Sequence, residues 1–333
     1  MRALQLIRDA GPARTFTFLS LLLMLAAWYS LRSGTSSFDW QTLLAGLRSA
    51  DPAARFTLWE YRLPRLLLAL LVGALLAGSG ALVQGVIRNP LASPDVLGIS
   101  HGASLAAVLA LMLWPALPAS ALPLVALLGG LLAALALWWL CGAGAAPLKL
   151  ALGGVALSAL YASCIDYLLL TRPQDVNQAL LWLTGSLWGR SWSSLWHLLP
   201  WLMLLPLALW LSQSLNLLAL GDEAAASLGI TPVRVRLLAL AVAVGWSAAS
   251  VATCGPLGFL ALVAPHLARR LVGGRHQLLL PAAMLIGALL LTLADLAGRV
   301  LAPPLELPAG IMTALLGAPY FLYLLARMRS VSC

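Results

Sequence analysis

The sequence predicts an all-α polytopic membrane protein. Of its 333 residues, 62% are hydrophobic and only 9% are charged, whereas a soluble domain carries about 25% charged residues. The mean hydropathy of +0.95 agrees with this assignment, and several apolar runs exceed the roughly 18 residues that indicate a transmembrane helix. The four cysteines form no CxxC pair, so neither a metal site nor a disulfide framework is expected.

Ten apolar segments are assigned as transmembrane helices, and together they make residues 1–333 a single transmembrane domain. They cover residues 15–31, 64–87, 96–114, 121–141, 149–170, 195–212, 234–253, 257–271, 278–300 and 309–326. The first follows a basic N-terminus and imitates a secretory signal, but Trp28 and Tyr29 stand where a cleavage site needs small residues. We therefore expect this segment to be retained as a membrane span.

Charged residues predict the orientation of the chain. Because ten is an even number, both termini lie on the same side, and both are basic, with Arg14 near one end and Arg329 near the other. The positive-inside rule then predicts cytoplasmic termini. On this topology residues 213–233 are cytoplasmic, and the long loops at 32–63 and 171–194 lie outside. The net charge of +9 does not indicate nucleic-acid binding, because arginines at span ends orient the spans and meet anionic lipid headgroups.

Small residues and chain breaks predict how the spans pack. Stretches such as VGALLAGSGALVQG and LGGVALSALYAS allow close approach of helices. Glycine and proline interrupt the apolar pattern at RNPLASPDVLG and again at CGPLGFLALVAPH. Such breaks persist at membrane depth only where protein or a water-filled path satisfies the backbone. Their occurrence in both halves predicts an inverted repeat around a path.

The second outer loop contains a predicted surface helix. Val176, Ala179, Leu180 and Leu183 recur at helical spacing, and tryptophans crowd the same stretch. Tryptophan prefers the boundary between water and lipid. The helix is therefore either an aromatic anchor or a gate over a substrate path.

Motifs for catalysis, metal binding and nucleotide binding are absent from the sequence. It contains no HExxH, no GxSxG elbow and no GxxxxGK[ST] phosphate loop. We therefore predict no catalytic residue, no metal site and no cofactor, and we expect a transport subunit rather than an enzyme.

Two acidic residues, Asp166 and Asp295, are the clearest ionisable groups within the spans. Asp295 lies four residues before Arg299, which predicts an i,i+4 ion pair. Asp166 lies near an outer span end beside Tyr167. Neither has the acid–histidine chain that a proton-coupled secondary transporter needs, so that alternative is the less favoured one.

A short helix is predicted between the sixth and seventh spans. Gly221 interrupts the preceding segment, Asp222 is expected to cap the new helix, and Gly229 is expected to end it. The helix would have about two turns and a shallow face of Ala225 and Leu228. Because so short a helix is unstable alone in water, we expect it to dock against a partner, such as a separate ATPase.

Several stretches carry a resemblance to a known family. In chain order from about residue 60, these are YRLPRLLLALLVGALLAGSGALVQGVIRNPLASPDVLGISHGAS, LLALGDEAAASLGI, GPLGFLALVAPHLARRLVGG and LELPAGIMTALLGAPYFLYLLARMR. They resemble the permease family of iron-siderophore and vitamin B12 ABC importers. TRPQDVNQALLWLTGSLWGR and EYRLPRLLLAL are especially similar to a permease subunit of bacterial ferric dicitrate importers.

The resemblance implies a type II ABC importer permease fold, with ten spans per subunit, an inverted repeat and a place in the bacterial inner membrane. It also implies three sets of partners: separate ABC ATPase subunits that hydrolyse ATP, a second permease subunit that forms a heterodimer with this chain, and a periplasmic substrate-binding protein. The expected cargo is a ferric chelate, iron(III) dicitrate. Another siderophore, haem or vitamin B12 is the alternative cargo.

The resemblance further assigns three groups of residues. The residues that couple the chain to the ATPase are Gly221, Asp222, Glu223, Ala225, Leu228 and Gly229. The residues that dock the binding protein are Arg62, Arg65 and Arg299. The candidates for lining the translocation path, on the fifth span, are Ser158, Ala162 and Ser163.

Overall fold

A computed structural model describes residues 11–34, 38–48, 51–114, 116–118, 120–142, 144–172, 176–303 and 305–329. Within these ranges every regular element is a helix. In chain order the α-helices are α1 (Pro12–Arg32), α2 (Trp40–Leu47), α3 (Pro52–Phe56), α4 (Leu63–Ile87), α5 (Ile99–Leu113), α6 (Leu122–Cys141), α7 (Pro147–Thr171), α8 (Val176–Leu183), α9 (Trp192–Leu198), α10 (Leu205–Leu218), α11 (Asp222–Ser227), α12 (Pro232–Cys254), α13 (Leu260–Val272), α14 (His276–Val300) and α15 (Ala309–Arg329).

Among the described residues, seven helices or continuous helical runs are long and apolar enough to cross a membrane. Five are single helices, namely α1, α6, α7, α12 and α14. Two are continuous helical runs: Pro52–Ile87, whose last helix is α4, and Trp192–Leu218, whose last helix is α10. Three further helices, α5, α13 and α15, coincide with the three remaining predicted spans. The predicted all-α membrane fold is confirmed, while the count of ten crossings stays a prediction.

Two membrane helices begin later than predicted because of left-handed backbone. Gly98 has φ of 81°, so α5 starts at Ile99 rather than at residue 96. Phe259 has φ of 65°, and α13 therefore starts at Leu260 rather than at residue 257. The left-handed conformation cannot continue a right-handed helix. Both breaks fall where glycine and proline interrupt the sequence.

The sixth span extends further than predicted. Its final helix, α10, continues to Leu218 rather than ending at residue 212, because Leu215 and Leu218 are completely buried against the bundle. The coupling segment predicted at 213–233 is correspondingly shorter. It consists of the turn after α10, the helix α11 and the turn before α12.

The helix α4 is the central element of the bundle. Within its most apolar window, 78% of the residues are buried, compared with 22% for α1 and for α7, which lie at the periphery. It packs most extensively on α14. At their crossing, a Cβ atom added to Gly73 would lie 2.4 Å from the carbonyl oxygen of Gly287. Only glycine permits this approach, as the small-residue pattern predicted.

The predicted helix of the second outer loop is present as α8, with the predicted bounds. Trp182 on this helix is buried and packs near Ala103 of α5 and Val251 of α12. It is therefore part of the core rather than a lipid anchor. Trp188 and Trp196, further along the chain, are exposed.

Candidate functional site

The short helix α11 lies between the turns that follow α10 and precede α12. Gly221 is its N-cap residue, with φ of 115°. Asp222 does not cap the helix as predicted, because it occupies the first helical position and no side-chain hydrogen bond caps this end. Gly229, with φ of 86°, ends the helix as expected. Glycine at both ends permits the two sharp changes of direction.

Asp222 is instead the centre of an ion-pair cluster. One carboxylate oxygen of Asp222 accepts a hydrogen bond of 2.5 Å from Arg236 of α12, and the other accepts one of 2.7 Å. The same side chain pairs with Arg88, the residue that follows α4 in left-handed conformation. Partial burial opposes ionisation, but the hydrogen bonds from Arg236 and Arg88 outweigh it and lower the pKa of Asp222. The pairs join α11 to both α4 and α12.

The exposed face of α11 differs from the predicted one. Ala225 points into the protein and is completely buried, which corrects its placement on a docking face. Leu228 is 56% exposed and Leu220 is 65% exposed, and Glu223 between them is exposed as well. The segment therefore presents two isolated apolar side chains and one acid to its surroundings.

At the opposite end of α4, a second cluster of charges connects several helices. Arg65 pairs with Asp295 of α14 at 2.8 Å and with Glu306 at 2.6 Å. The predicted i,i+4 pair is present, with 3.2 Å between Arg299 and Asp295. Arg65 was not predicted as a partner of Asp295, since 230 residues separate them along the chain.

The two other predicted docking arginines bind the end of α1. Arg62 donates to the carbonyl oxygens of Leu31 and Arg32 at 2.7 Å and 2.9 Å. Arg299 donates to the carbonyl oxygens of Ser30 and Ser33 at 3.1 Å and 3.0 Å. Both residues are buried. These arginines therefore have intramolecular partners, and they attach the end of α1 to α4 and α14.

Arg62, Arg65 and Arg299 nevertheless line one cavity of ≈ 430 Å³. The structure thus brings the three predicted docking residues together. Glu306 and Arg190 also line it, and sequence reasoning assigned a role to neither. Arg190 follows Gly189 in an outer loop, and nothing in the local sequence indicated that its side chain reaches this cluster.

The three candidate path residues on α7 lie in different environments. The Ser158 hydroxyl donates to the carbonyl oxygen of Asp95 at 3.0 Å. Ala162 is half-buried. Ser163 is exposed, and its hydroxyl donates at 2.9 Å to Ala159 within the same helix. Only Ser158 therefore contacts the chain break between α4 and α5, and the path assignment stays a prediction.

Beside Ser158 lies a cavity of ≈ 400 Å³, largely apolar but with several polar side chains in its wall, that sequence reasoning missed. Its lining includes Asp95, Ser100 and His101 from the break before α5, and Phe259 from the break before α13. The Ser100 hydroxyl donates to Asp95. The sequence feature that could have indicated this cavity is the pair of glycine- and proline-rich breaks, since residues of both breaks line it.

No group of three or more potential metal ligands is found in the part of the chain that the structure describes. The clusters around Asp222 and Asp295 contain ion pairs and backbone hydrogen bonds rather than a nucleophile beside a base. The described residues thus form an apolar helical bundle of membrane-spanning length with a charge cluster at each end of α4.

Comparison with known proteins identifies the family. Residues 22–327 match the model of the FecCD transport family, and the chain belongs to this family. It is 53% identical over 313 residues to the Fe(3+) dicitrate transport system permease protein FecD of Escherichia coli (strain K12), with 94% of this chain and 98% of that protein covered. The chain is thus a multi-pass membrane transport protein, and no catalytic role is assigned to it.

Two further relatives support the same family. The chain is 44% identical over 320 residues to the Fe(3+)-citrate import system permease protein YfmE of Bacillus subtilis (strain 168), and 96% of each chain is covered. A solved structure described as an inward-facing conformation of a metal-chelate type ABC transporter matches with a TM-score of 0.83 and 34% identity. That match covers 95% of this chain and 99% of the other.

The substitution Asp295→Asn is expected to destabilise the purified permease by about 3–5 kcal/mol, because it leaves two buried arginines without their shared carboxylate. Thermal unfolding in lipid nanodiscs measures the effect as a lowered melting temperature. The control is Asp166→Asn, an exposed acid on α7 with no ion pair in the described part of the chain. Equal melting temperatures for the two variants would show that the Asp295 cluster contributes nothing to stability.

Proposed function

We propose that the chain is the membrane permease subunit of an ATP-binding cassette importer that moves ferric citrate from the periplasm to the cytoplasm. In this proposal it lies in the bacterial inner membrane with both termini cytoplasmic. The observation that carries the proposal is the 53% identity to FecD across 98% of that protein, supported by the likeness to YfmE. Another siderophore, haem or vitamin B12 is the alternative cargo, and a proton-coupled secondary transporter is the less favoured mechanism.

The proposed energy source is a pair of separate ABC ATPase subunits that receive α11 in a cleft. Leu228 and Leu220 would fill apolar depressions of the ATPase, and Glu223 would meet a cationic residue. Gly221 and Gly229 allow the chain to turn at the two ends of α11, while Asp222 and the buried Ala225 attach the helix to the bundle. Movement of the ATPase would reach α4 and α12 through Arg88 and Arg236.

At the outer face, the proposed partner is a periplasmic binding protein that delivers the chelate. Arg62, Arg65 and Arg299 lie around the cavity described above, and acidic residues of the binding protein would approach this cationic rim. Complementary charge of this kind mainly orients docking and accelerates encounter. Because Arg65 already pairs with Glu306, a carboxylate from the partner would compete with Glu306 for it.

A second permease subunit is proposed to complete the path as a heterodimer with this chain. The path would run along α7, where Ser158, Ala162 and Ser163 offer small and weakly polar side chains. Tilting of α7 and α15 would switch it between outward and inward access. Selectivity would then depend on the binding protein rather than on a tight site in the membrane.

The cargo is tested by uptake of radioactive iron in cells that lack the gene for this chain. Restoring the chain together with its genomic partner subunits should restore uptake of ferric citrate to well above the deletion background. Parallel assays with a hydroxamate siderophore, haem and cobalamin serve as controls for cargo. If uptake of the hydroxamate siderophore, haem or cobalamin is restored instead of ferric citrate uptake, that compound is the cargo. Uptake that persists without the ATPase but is lost when the proton gradient is removed would indicate secondary transport.

The coupling role is tested with Leu228→Asp. Placing a charge in an apolar contact should reduce ATP hydrolysis stimulated by loaded binding protein, and transport with it, by at least about tenfold. Leu228→Met, which keeps an apolar side chain of similar volume, is the matched control and should retain both activities. Full transport by the aspartate variant would exclude Leu228 from the contact with the ATPase.

The docking role is tested with Glu306→Gln. Removing this competing carboxylate should strengthen binding of the loaded binding protein by up to about fivefold at low salt, and by less at high salt. The control is Glu60→Gln, which removes an exposed acid from the helical run that precedes α4 without changing an ion pair of Arg65. An equal change for both variants would reflect net charge alone, and it would argue against docking at this cluster.

A further inference from the structure

Arg190 stands apart from the other arginines of the outer cavity. Its Nε atom is buried and has no hydrogen-bond partner; the Nε atom of Arg299 has none either, but Arg299 forms an ion pair with Asp295. In the described part of the chain, its guanidinium forms neither a hydrogen bond nor an ion pair. Arg65 and Arg299, by contrast, have carboxylate partners. Arg190 is only partly exposed, and a cation in such surroundings without a counter-charge is costly, so its position calls for a partner that the described residues do not supply.

The backbone around Arg190 holds it in place. Gly185 packs so closely that an added Cβ would lie 2.1 Å from the carbonyl oxygen of Pro256. The amide of Ser186 donates to the carbonyl oxygen of Cys254 at 2.7 Å, and the amide of Arg190 donates to that of Leu187 at 3.3 Å. The loop is therefore fixed to the end of α12, and Arg190 is preorganised at the cavity wall.

The cavity has the size and the charge of a small-anion site. Its volume of ≈ 430 Å³ falls within the roughly 300–1,000 Å³ of small-molecule sites. Among the described lining residues, four are arginines and one, Glu306, is acidic. Tyr61 and Trp188, both largely exposed, lie beside it and widen the apolar part of the wall. Burial also lowers the pKa of the Arg190 guanidinium, an effect that a bound anion would oppose.

We propose that this cavity binds a small polycarboxylate, and that Arg190 is the residue that engages one of its carboxylates. The planar guanidinium presents paired N–H donors that match the two oxygens of a carboxylate. Within the proposed function, on which the identity of the ligand as a citrate chelate rests, the site would receive the cargo at the mouth of the permease.

The test uses the full-length permease in nanodiscs, without ATPase or binding protein, so that it does not depend on transport. Isothermal titration calorimetry with citrate, and separately with ferric citrate, measures affinity directly. Arg190→Gln should weaken binding at least about tenfold, as expected for loss of a hydrogen bond between charged groups. Arg190→Lys, which keeps the charge but not the paired donors, should give a smaller loss. The matched control is Arg48→Gln, an exposed arginine of the other outer loop, which should bind like the wild type.

The outcomes separate this proposal from the proposed function. Citrate binding that depends on Arg190 but not on Arg48 supports the site, whatever the uptake assay shows. Absence of binding to the wild type, or equal binding by folded wild type and Arg190→Gln, overturns it even if ferric citrate is transported. If citrate does not bind but Arg190→Gln weakens docking of the binding protein, the cavity receives a protein side chain, and the proposal is also wrong.

Discussion

Asp295 is the residue on which one end of the bundle depends. Its buried carboxylate lies between Arg65 of α4 and Arg299 of α14. Arg65 also pairs with Glu306, and Arg299 also binds Ser30 at the end of α1. One acid thereby joins α1, α4, α14 and the segment before α15. Because a buried charge is stable only while its partners are in place, the outer helix ends are restricted to one relative arrangement.

The opposite end of α4 carries a corresponding connection. Arg88 pairs with Asp222 of α11, which Arg236 of α12 holds as well. Between the two ends, α4 meets α14 backbone to backbone at Gly73 and Gly287, so no flexible side chain separates them. Its 25 residues span about 37 Å. Since packed interiors are not continuously deformable, a displacement of α11 would move α4 as a rod. In the proposed importer, this rod connects the ATPase contact with the outer rim.

The features that the sequence predicted correctly are the local ones. Apolar runs located the seven helices or helical runs that are long and apolar enough to cross a membrane in the described part of the chain, and spacing alone predicted the pair of Asp295 and Arg299. The start of α13 lies three residues after its predicted position, because Phe259 adopts a left-handed conformation that its residue type does not favour. The partners of Asp222 were also missed, since Arg88 lies 134 residues away. The family resemblance indicated which residues belong to a site, but only the folded chain shows that the predicted docking arginines are already paired with groups of the chain itself.

The distribution of polar groups bears on how an anionic chelate could cross. In the helices around α4, buried hydroxyls such as those of Ser250 and Thr292 donate to carbonyl oxygens of their own helix, so they offer little to a cargo. Away from the two charged ends, the cavity at Asp95 and His101 has polar side chains in an otherwise largely apolar wall. Ser158 places it beside the middle of α7. Passage requires binding that is favourable enough to enter and weak enough to leave. In the proposed importer, a strongly cationic site suits the mouth, where the chelate would be received, and this weakly polar cavity suits the interior, where the chelate would have to be released.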